Sequence, residues 1–136
     1  MFPNSELFGG TELPAVGKVV TAITLDSAIV ILVGANREHV FRIENEFTME
    51  THNSGSRFRV RYEPYSLDGV RENLTEFSTI VATTVLHARA YIDGVLELRL
   101  DDGVVITVRP RDDYEAWMYT FGNYILACPP GGFSAL

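Results

Sequence analysis

Arg57, Arg59 and Arg61 alternate with Phe58, Val60 and Tyr62. On a strand, successive side chains point to opposite faces, so three guanidinium groups would line one face. Such a row suits a phosphate or a nucleic-acid backbone. The preceding segment offers a different use for it. Glu44, Glu46 and Glu50 keep the same parity, with Phe47 and Met49 on the other. A fold at Asn53-Ser54 sets Glu50 opposite Arg57, Thr48 opposite Arg59, Glu46 opposite Arg61, Met49 opposite Phe58 and Phe47 opposite Val60. Each cross-strand ion pair contributes only ~0.2–1 kcal/mol, yet the pattern defines register, because a slip of one residue would turn arginines into the core. The register role is favoured, and a net charge of −7 opposes a phosphate backbone. No nucleic-acid partner is expected.

Other chemistries find less support. His39, His52 and His87 are scattered without metal-ligand spacing, and the single cysteine, Cys128, has no cysteine or histidine cluster around it. No metal and no cofactor is expected. Cys128 is followed by Pro129-Pro130 with no nearby base, and no Gly-x-Ser-x-Gly occurs. Gly131-Gly132 opens no helix, so it is no phosphate cradle. The 18 carboxylates leave an acid–base site open without any motif to single one out. Catalytic residues therefore stay unknown, and the balance leans away from an enzyme. The most distinctive segment is Asp112-Asp113-Tyr114-Glu115-Ala116-Trp117-Met118-Tyr119. As a strand it would put Glu115, Trp117 and Tyr119 on one face. Tyr114, Glu115, Trp117 and Tyr119 are the candidate binding residues, since Trp and Tyr supply rigid contact area with a polar handle. The competing role for Trp117 is a core residue, and it is the favoured one.

The elements that must position these residues are mostly strands. Residues 1–14 read as an irregular lead-in with Pro3, Gly9, Gly10 and Pro14. From Val16 onward β-branched residues dominate, with turn residues at short intervals. Leu25-Asp26-Ser27 with Ile29, Ile31 and Val33 matches Ile92-Asp93-Gly94 with Leu96, Leu98 and Leu100 at a constant offset; Phe41 and Ile43 then match Ile106 and Val108 at an offset two shorter. The chain thus reads as two related three-stranded antiparallel meanders: Lys18–Leu25, Ala28–Val33 and His39–Asn45, then Val85–Ile92, Val95–Leu100 and Val104–Arg109. A hairpin follows each, over 15–62 and 83–136 in total. Asp93-Gly94, Asp102-Gly103 and Gly122-Asn123 supply the positive-φ positions tight turns require. Between the copies, Val70, Leu74, Phe77 and Val81 fall at helical spacing, which predicts a short helix over 66–81.

With 136 residues, 46% of them hydrophobic, the chain is one domain with a real core. The fold class is mostly β (α+β with one short helix), a sandwich or partly open barrel. The expected core is Val19, Ile23, Ile29, Ile31, Phe41, Ile43, Leu86, Leu96, Leu98, Ile106, Val108 and Trp117. The longest apolar run, Ala28–Val33, is too short to span a membrane, so none is expected as a partner. Met1–Glu6 lacks the basic and apolar regions of a secretory signal, and the lone cysteine fits a reducing compartment, so a cytoplasmic location is expected.

Asp93-Gly94-x-Leu96, Asp102-Gly103, Val108, Tyr114-Glu115-Ala116-Trp117 and Pro130-Gly131-Gly132 together resemble a bacterial family of small proteins known only as a domain of unknown function. The resemblance spans about Glu63 to Leu136 and, more loosely, the first copy. Phe133-Ser134-Ala135-Leu136 stands where the family commonly has a terminal tryptophan. The resemblance implies a bacterial cytosolic protein and no particular activity. The favoured function is a non-enzymatic protein-interaction domain, immunity-like, whose acidic surface meets a basic protein partner. The alternatives are a small-ligand-binding β fold and an enzyme with a dispersed carboxylate site. Edge strands also make a homodimer an expected arrangement.

Overall fold

A computed structural model describes residues 10–25, 28–53, 56–62 and 77–133. Among them eleven strands form two antiparallel sheets. In chain order they are β1 (Thr11–Glu12), β2 (Val20–Leu25), β3 (Ile29–Val33), β4 (His39–Ile43), β5 (Phe47–Asn53), β6 (Ser56–Tyr62), β7 (Val85–Ala90), β8 (Leu96–Leu100), β9 (Val104–Val108), β10 (Trp117–Phe121) and β11 (Tyr124–Ala127). One sheet has the order β1-β7-β8-β9-β5-β6 and the other β11-β10-β4-β3-β2. Alternation explains the layering. In β3, Ile29, Ile31 and Val33 are buried; in β8, Leu96, Leu98 and Leu100; in β9, Val104, Ile106 and Val108. These inner faces meet as a sandwich with Phe41, Phe47, Phe77, Trp117 and Tyr119 between them.

The two meanders are β2-β3-β4 and β7-β8-β9, and each is extended by the hairpin of the other copy. The β5-β6 hairpin, which follows the first meander in the chain, pairs with β9 of the second. The β10-β11 hairpin, which follows the second, pairs with β4 of the first. The halves are thus interlocked by an exchange of hairpins. A pseudo-two-fold runs through the seam between β2 and β7. Val19 bridges Thr84, 65 positions on. Val20 N donates to Thr83 O and Val85 N to Lys18 O, both at 2.8 Å. Ala82 N donates to Val20 O and Gly17 N to Val85 O, again both at 2.8 Å. Each pair of bonds is one contact written twice by the symmetry.

Several expectations change in detail. Val19 and Leu86, expected in the core, are 41% and 59% exposed. The cause is a β-bulge in each first strand, between Val20 and Ala22 and between Val85 and His87. An extra residue shifts the alternation, so Val20 and Val85 point inward instead. Ile23 packs on the core while staying partly exposed. The β5-β6 register is two residues from the expected one: Glu50 faces Arg59, Thr48 faces Arg61 and His52 faces Arg57. Asn53 pairs with Ser56. A shift of two preserves the parity of the pairing. The repeat offset is also not constant across the first hairpin: Leu25 pairs with Ile29 but Ala90 pairs with Leu96, so the second copy's loop is two residues longer. Most of the helix expected over 66–81 lies outside the described residues. Phe77 and Ser78 have helical backbone, Phe77 is buried against Phe47 with ring centroids 5.9 Å apart, and Val81 is exposed. Thr11–Glu12, within the expected lead-in, pair with β7.

The symmetry explains a strained residue. Gly17 has φ +88 and its counterpart Ala82 has φ +75, the left-handed region that a Cβ disfavours. A Cβ at Gly17 would meet nothing within 4 Å, so the penalty there is purely conformational. Gly17→Ala is expected to lower unfolding free energy by about 1 kcal/mol and Ala82→Gly to raise it by about 0.5 kcal/mol. Urea unfolding of the two variants checks both signs.

Candidate functional site

The C-terminal segment divides between interior and surface. Trp117 and Tyr119 are fully buried, whereas Tyr114 is 38% exposed and Glu115 is exposed. Tyr114 lies under the Arg111 guanidinium, 4.0 Å from its ring centroid, and Arg111 also grips Asp113 at 2.9 and 3.0 Å. That ion pair holds the Asp113 carboxyl below the usual carboxylate range. Tyr114 and Glu115 border a shallow depression with Glu44 and Pro130. The structure thus brings Tyr114 and Glu115 together on the surface and turns Trp117 and Tyr119 away from them.

The buried pair has its own partners. Trp117 Nε1 donates to Gly94 O at 2.8 Å, and Cys128 Sγ lies 3.4 Å from the same oxygen. Phe133 meets the indole edge-on at 6.0 Å. Gly132, with φ +89, packs so tightly on the Asp93-Gly94 turn that a Cβ would collide with Asp93 O, and a Cβ on Gly94 would come within 2.7 Å of Gly132 Cα. The Asp-Gly, Trp and Pro-Gly-Gly motifs therefore form one closure that ties the chain end to the β7-β8 hairpin. Burial pushes the Cys128 thiol up to about 11, which makes it a poor nucleophile. Tyr119 Oη and His39 Nδ1 share a hydrogen bond of 2.7 Å inside the core, and Phe121 stacks on the imidazole at 4.2 Å. Burial lowers the His39 pKa below its ordinary 6.5 and raises that of the Tyr119 phenol, so both are neutral at pH 7.

The outer face of the six-stranded sheet carries the densest chemistry. Glu97 on β8 is contacted from three sides: Arg99 Nε at 3.1 Å, His87 Nε2 at 3.1 Å and the Tyr91 hydroxyl at 3.5 Å. The histidine contact has ion-pair distance without hydrogen-bond alignment. Desolvation lowers the His87 pKa, with Glu97 opposing it, and raises that of Tyr91. Around this cluster runs an open trough of about 800 Å³ lined by Glu46, Glu50, Asp93, Glu97, Tyr91 and Arg109 among others. A second hollow of about 750 Å³ shares Glu50, Glu97 and Thr107 with it and adds His87, Leu86 and Val105. The residues that build it were legible only as the polar side of a half-buried strand, Glu97 and Arg99 alternating with Leu96 and Leu98. Their meeting with His87 and Tyr91 depends on β7 and its bulge, which no local pattern reveals. Among the described residues no group of three metal-ligating side chains converges.

A family model described as a family of unknown function (DUF6188) matches residues 11–135. Neither a curated protein nor a solved structure matches the chain.

Two tests follow from the buried groups. Gly132→Ala is expected to destabilise by about 2–4 kcal/mol through backbone collision and left-handed strain, read by thermal or urea unfolding. For His39 and His87, the folded pKa lies below the unfolded value of 6.5, so the unfolded chain binds more protons as the solution acidifies. Their contribution to stability is complete above pH 6.5 and is lost as pH falls through and below that value. Urea midpoints between pH 8 and 5 should decline, and His39→Gln should flatten the slope.

Proposed function

We propose that this chain, which belongs to the DUF6188 family, is a non-enzymatic protein-binding domain that takes a basic segment of its partner on the outer face of the six-stranded sheet. The observation that carries the reading is the charge of the trough. Among the described residues that line it, Glu46, Glu50, Asp93 and Glu97 are carboxylates and Arg109 is a guanidinium. Glu97 is held in place by its own neighbours, so a cationic side chain meets a carboxylate whose orientation is already set. Tyr91, Val95 and Pro110 supply apolar contact in the same trough. The overall charge of −7 steers a basic partner toward the domain from a distance.

A small apolar ligand is less well supported, because the interior is occupied by large side chains and both hollows open outward among charged groups. An enzymatic reading gains nothing from the one thiol, Cys128, which is buried and held in its neutral form.

Fluorescence anisotropy with a labelled Lys/Arg-rich peptide tests the proposal. Saturable micromolar binding is expected, weakening as salt is raised. The double reversal Glu46→Lys/Asp93→Lys should weaken it about tenfold, equivalent to ~1.4 kcal/mol. The same net change at Asp112 and Glu115 should leave affinity within about twofold. Equal losses from both double variants would reduce the effect to net charge and overturn the assignment of the trough.

A further inference from the structure

The outer face of the five-stranded sheet differs sharply from that of its counterpart. The pairing register lays its outward side chains in two rows. One row is Ala22, Leu32, Val40, Thr120 and Ile125; the other is Thr24, Val30, Arg42, Met118 and Ala127. The only charge among these ten is Arg42, which lies 3.7 Å from Glu44. None of the ten is buried, and Ile125 is 66% exposed. The patch continues round the β10-β11 hairpin, where Tyr124 is 43% and Phe121 37% exposed. From Trp117 to Ala127 there is no charged residue, in a chain of which 21% is charged.

The internal symmetry shows that folding does not demand this composition. In the six-stranded sheet the counterparts of Ala22 and Thr24 are His87 and Arg89, those of Val30 and Leu32 are Glu97 and Arg99, and that of Thr120 is Glu50. The same backbone positions tolerate ionised side chains on one side of the sandwich and lack them on the other. A contiguous apolar surface at positions free to be polar marks an interaction site.

We propose that this face is a self-association surface that a second copy of the chain covers about a two-fold axis. The charge distribution selects that occupant. Each copy carries −7, so two copies can approach closely only where neither presents carboxylates, and this face is such a place. A strongly basic or acidic partner finds no complement on it. A two-fold contact requires one patch to complement itself, which interdigitating aliphatic rows do. The edge strand β11 carries no lysine, proline or bulge to discourage pairing, so the neighbouring copy can also approach along it. Size sets the strength. Five strands ~4.8 Å apart and about five residues long give a face on the order of 400 Å² per copy. A dimer then buries on the order of 800 Å², below the ~1,200 Å² of stable complexes, which predicts a reversible dimer of micromolar strength.

Sedimentation velocity of the full chain tests this between about 1 and 300 μM, a range that brackets micromolar association. The wild type should pass from monomer to dimer, and added salt should leave the association undiminished. Ile125→Lys and Thr120→Lys lie on exposed or half-exposed positions and should keep the wild-type circular dichroism spectrum while weakening association at least about tenfold. Asp112→Lys should not change it. A wild type that stays monomeric throughout, or folded lysine variants that associate like the wild type, would overturn the proposal. So would association abolished by moderate salt, which would mark a charged interface elsewhere. None of these results bears on the acidic trough, which lies on the other sheet.

Discussion

The structure depends on the seam where β2 and β7 cross, at which residues 18–20 and 83–85 hydrogen-bond as symmetry mates. Each copy alone is a three-stranded meander with one apolar face and two edges. Such a unit cannot bury its apolar side unaided. The seam sets the two apolar faces against each other, and the exchanged hairpins then lengthen each sheet with strands from the other half. β5 is held on one side by β6 and on the other by β9, so neither half can unfold without opening the other's sheet. This interlocking is why the bulges matter. At Val20/Ala22 and Val85/His87 an extra residue bends the strand out of its sheet and frees its backbone for the seam.

The seam also accounts for residues whose placement is otherwise odd. Ala82 takes a left-handed conformation because it occupies the position Gly17 fills in the first copy, and its N–H must reach Val20 O as Gly17 N reaches Val85 O. Thr84 answers Val19 across the axis, so both remain outside the core. Beyond the seam the copies diverge. The second is closed by the contact among Gly94, Trp117, Cys128 and Gly132, and the first has His39 and Tyr119 buried at its strand ends.

Much of this was written in the sequence. Two-residue alternation located the strands of both meanders, and Leu96 and Leu98 share a buried face as their spacing requires. The motif residues Asp93-Gly94, Trp117 and Gly131-Gly132 stood out because their backbone and packing demands admit few substitutes. Val19 and Leu86 misled because a bulge is decided by what the partner strand offers, and the partners lie 65 residues apart. The β5-β6 register differs from the expected one by two residues because alternation is blind to even shifts. The exchange of hairpins left no local trace, since β5 next to β4 and β5 next to β9 demand the same inward Phe47 and Met49. For the candidate site, Glu97 was visible as polar, but its convergence with His87, Tyr91 and Arg99 required knowing that β7 lies beside β8 with a bulge between them.

Duplication gives a way to separate structural from functional constraint without any second protein for comparison. Ile31 and Leu98, and likewise Phe41 and Ile106, face inward in both copies and are apolar in both, because they pack in the shared core. Outward positions have no such obligation, so a systematic difference between them records separate demands on the two faces. One outward face holds Glu97 between a histidine, a tyrosine and an arginine; at the equivalent point of the other stands Val30. Burying a valine face and solvating a carboxylate cluster are opposite tasks in water. A chain that keeps both on one duplicated frame presents a charged outer face on one sheet and an apolar outer face on the other.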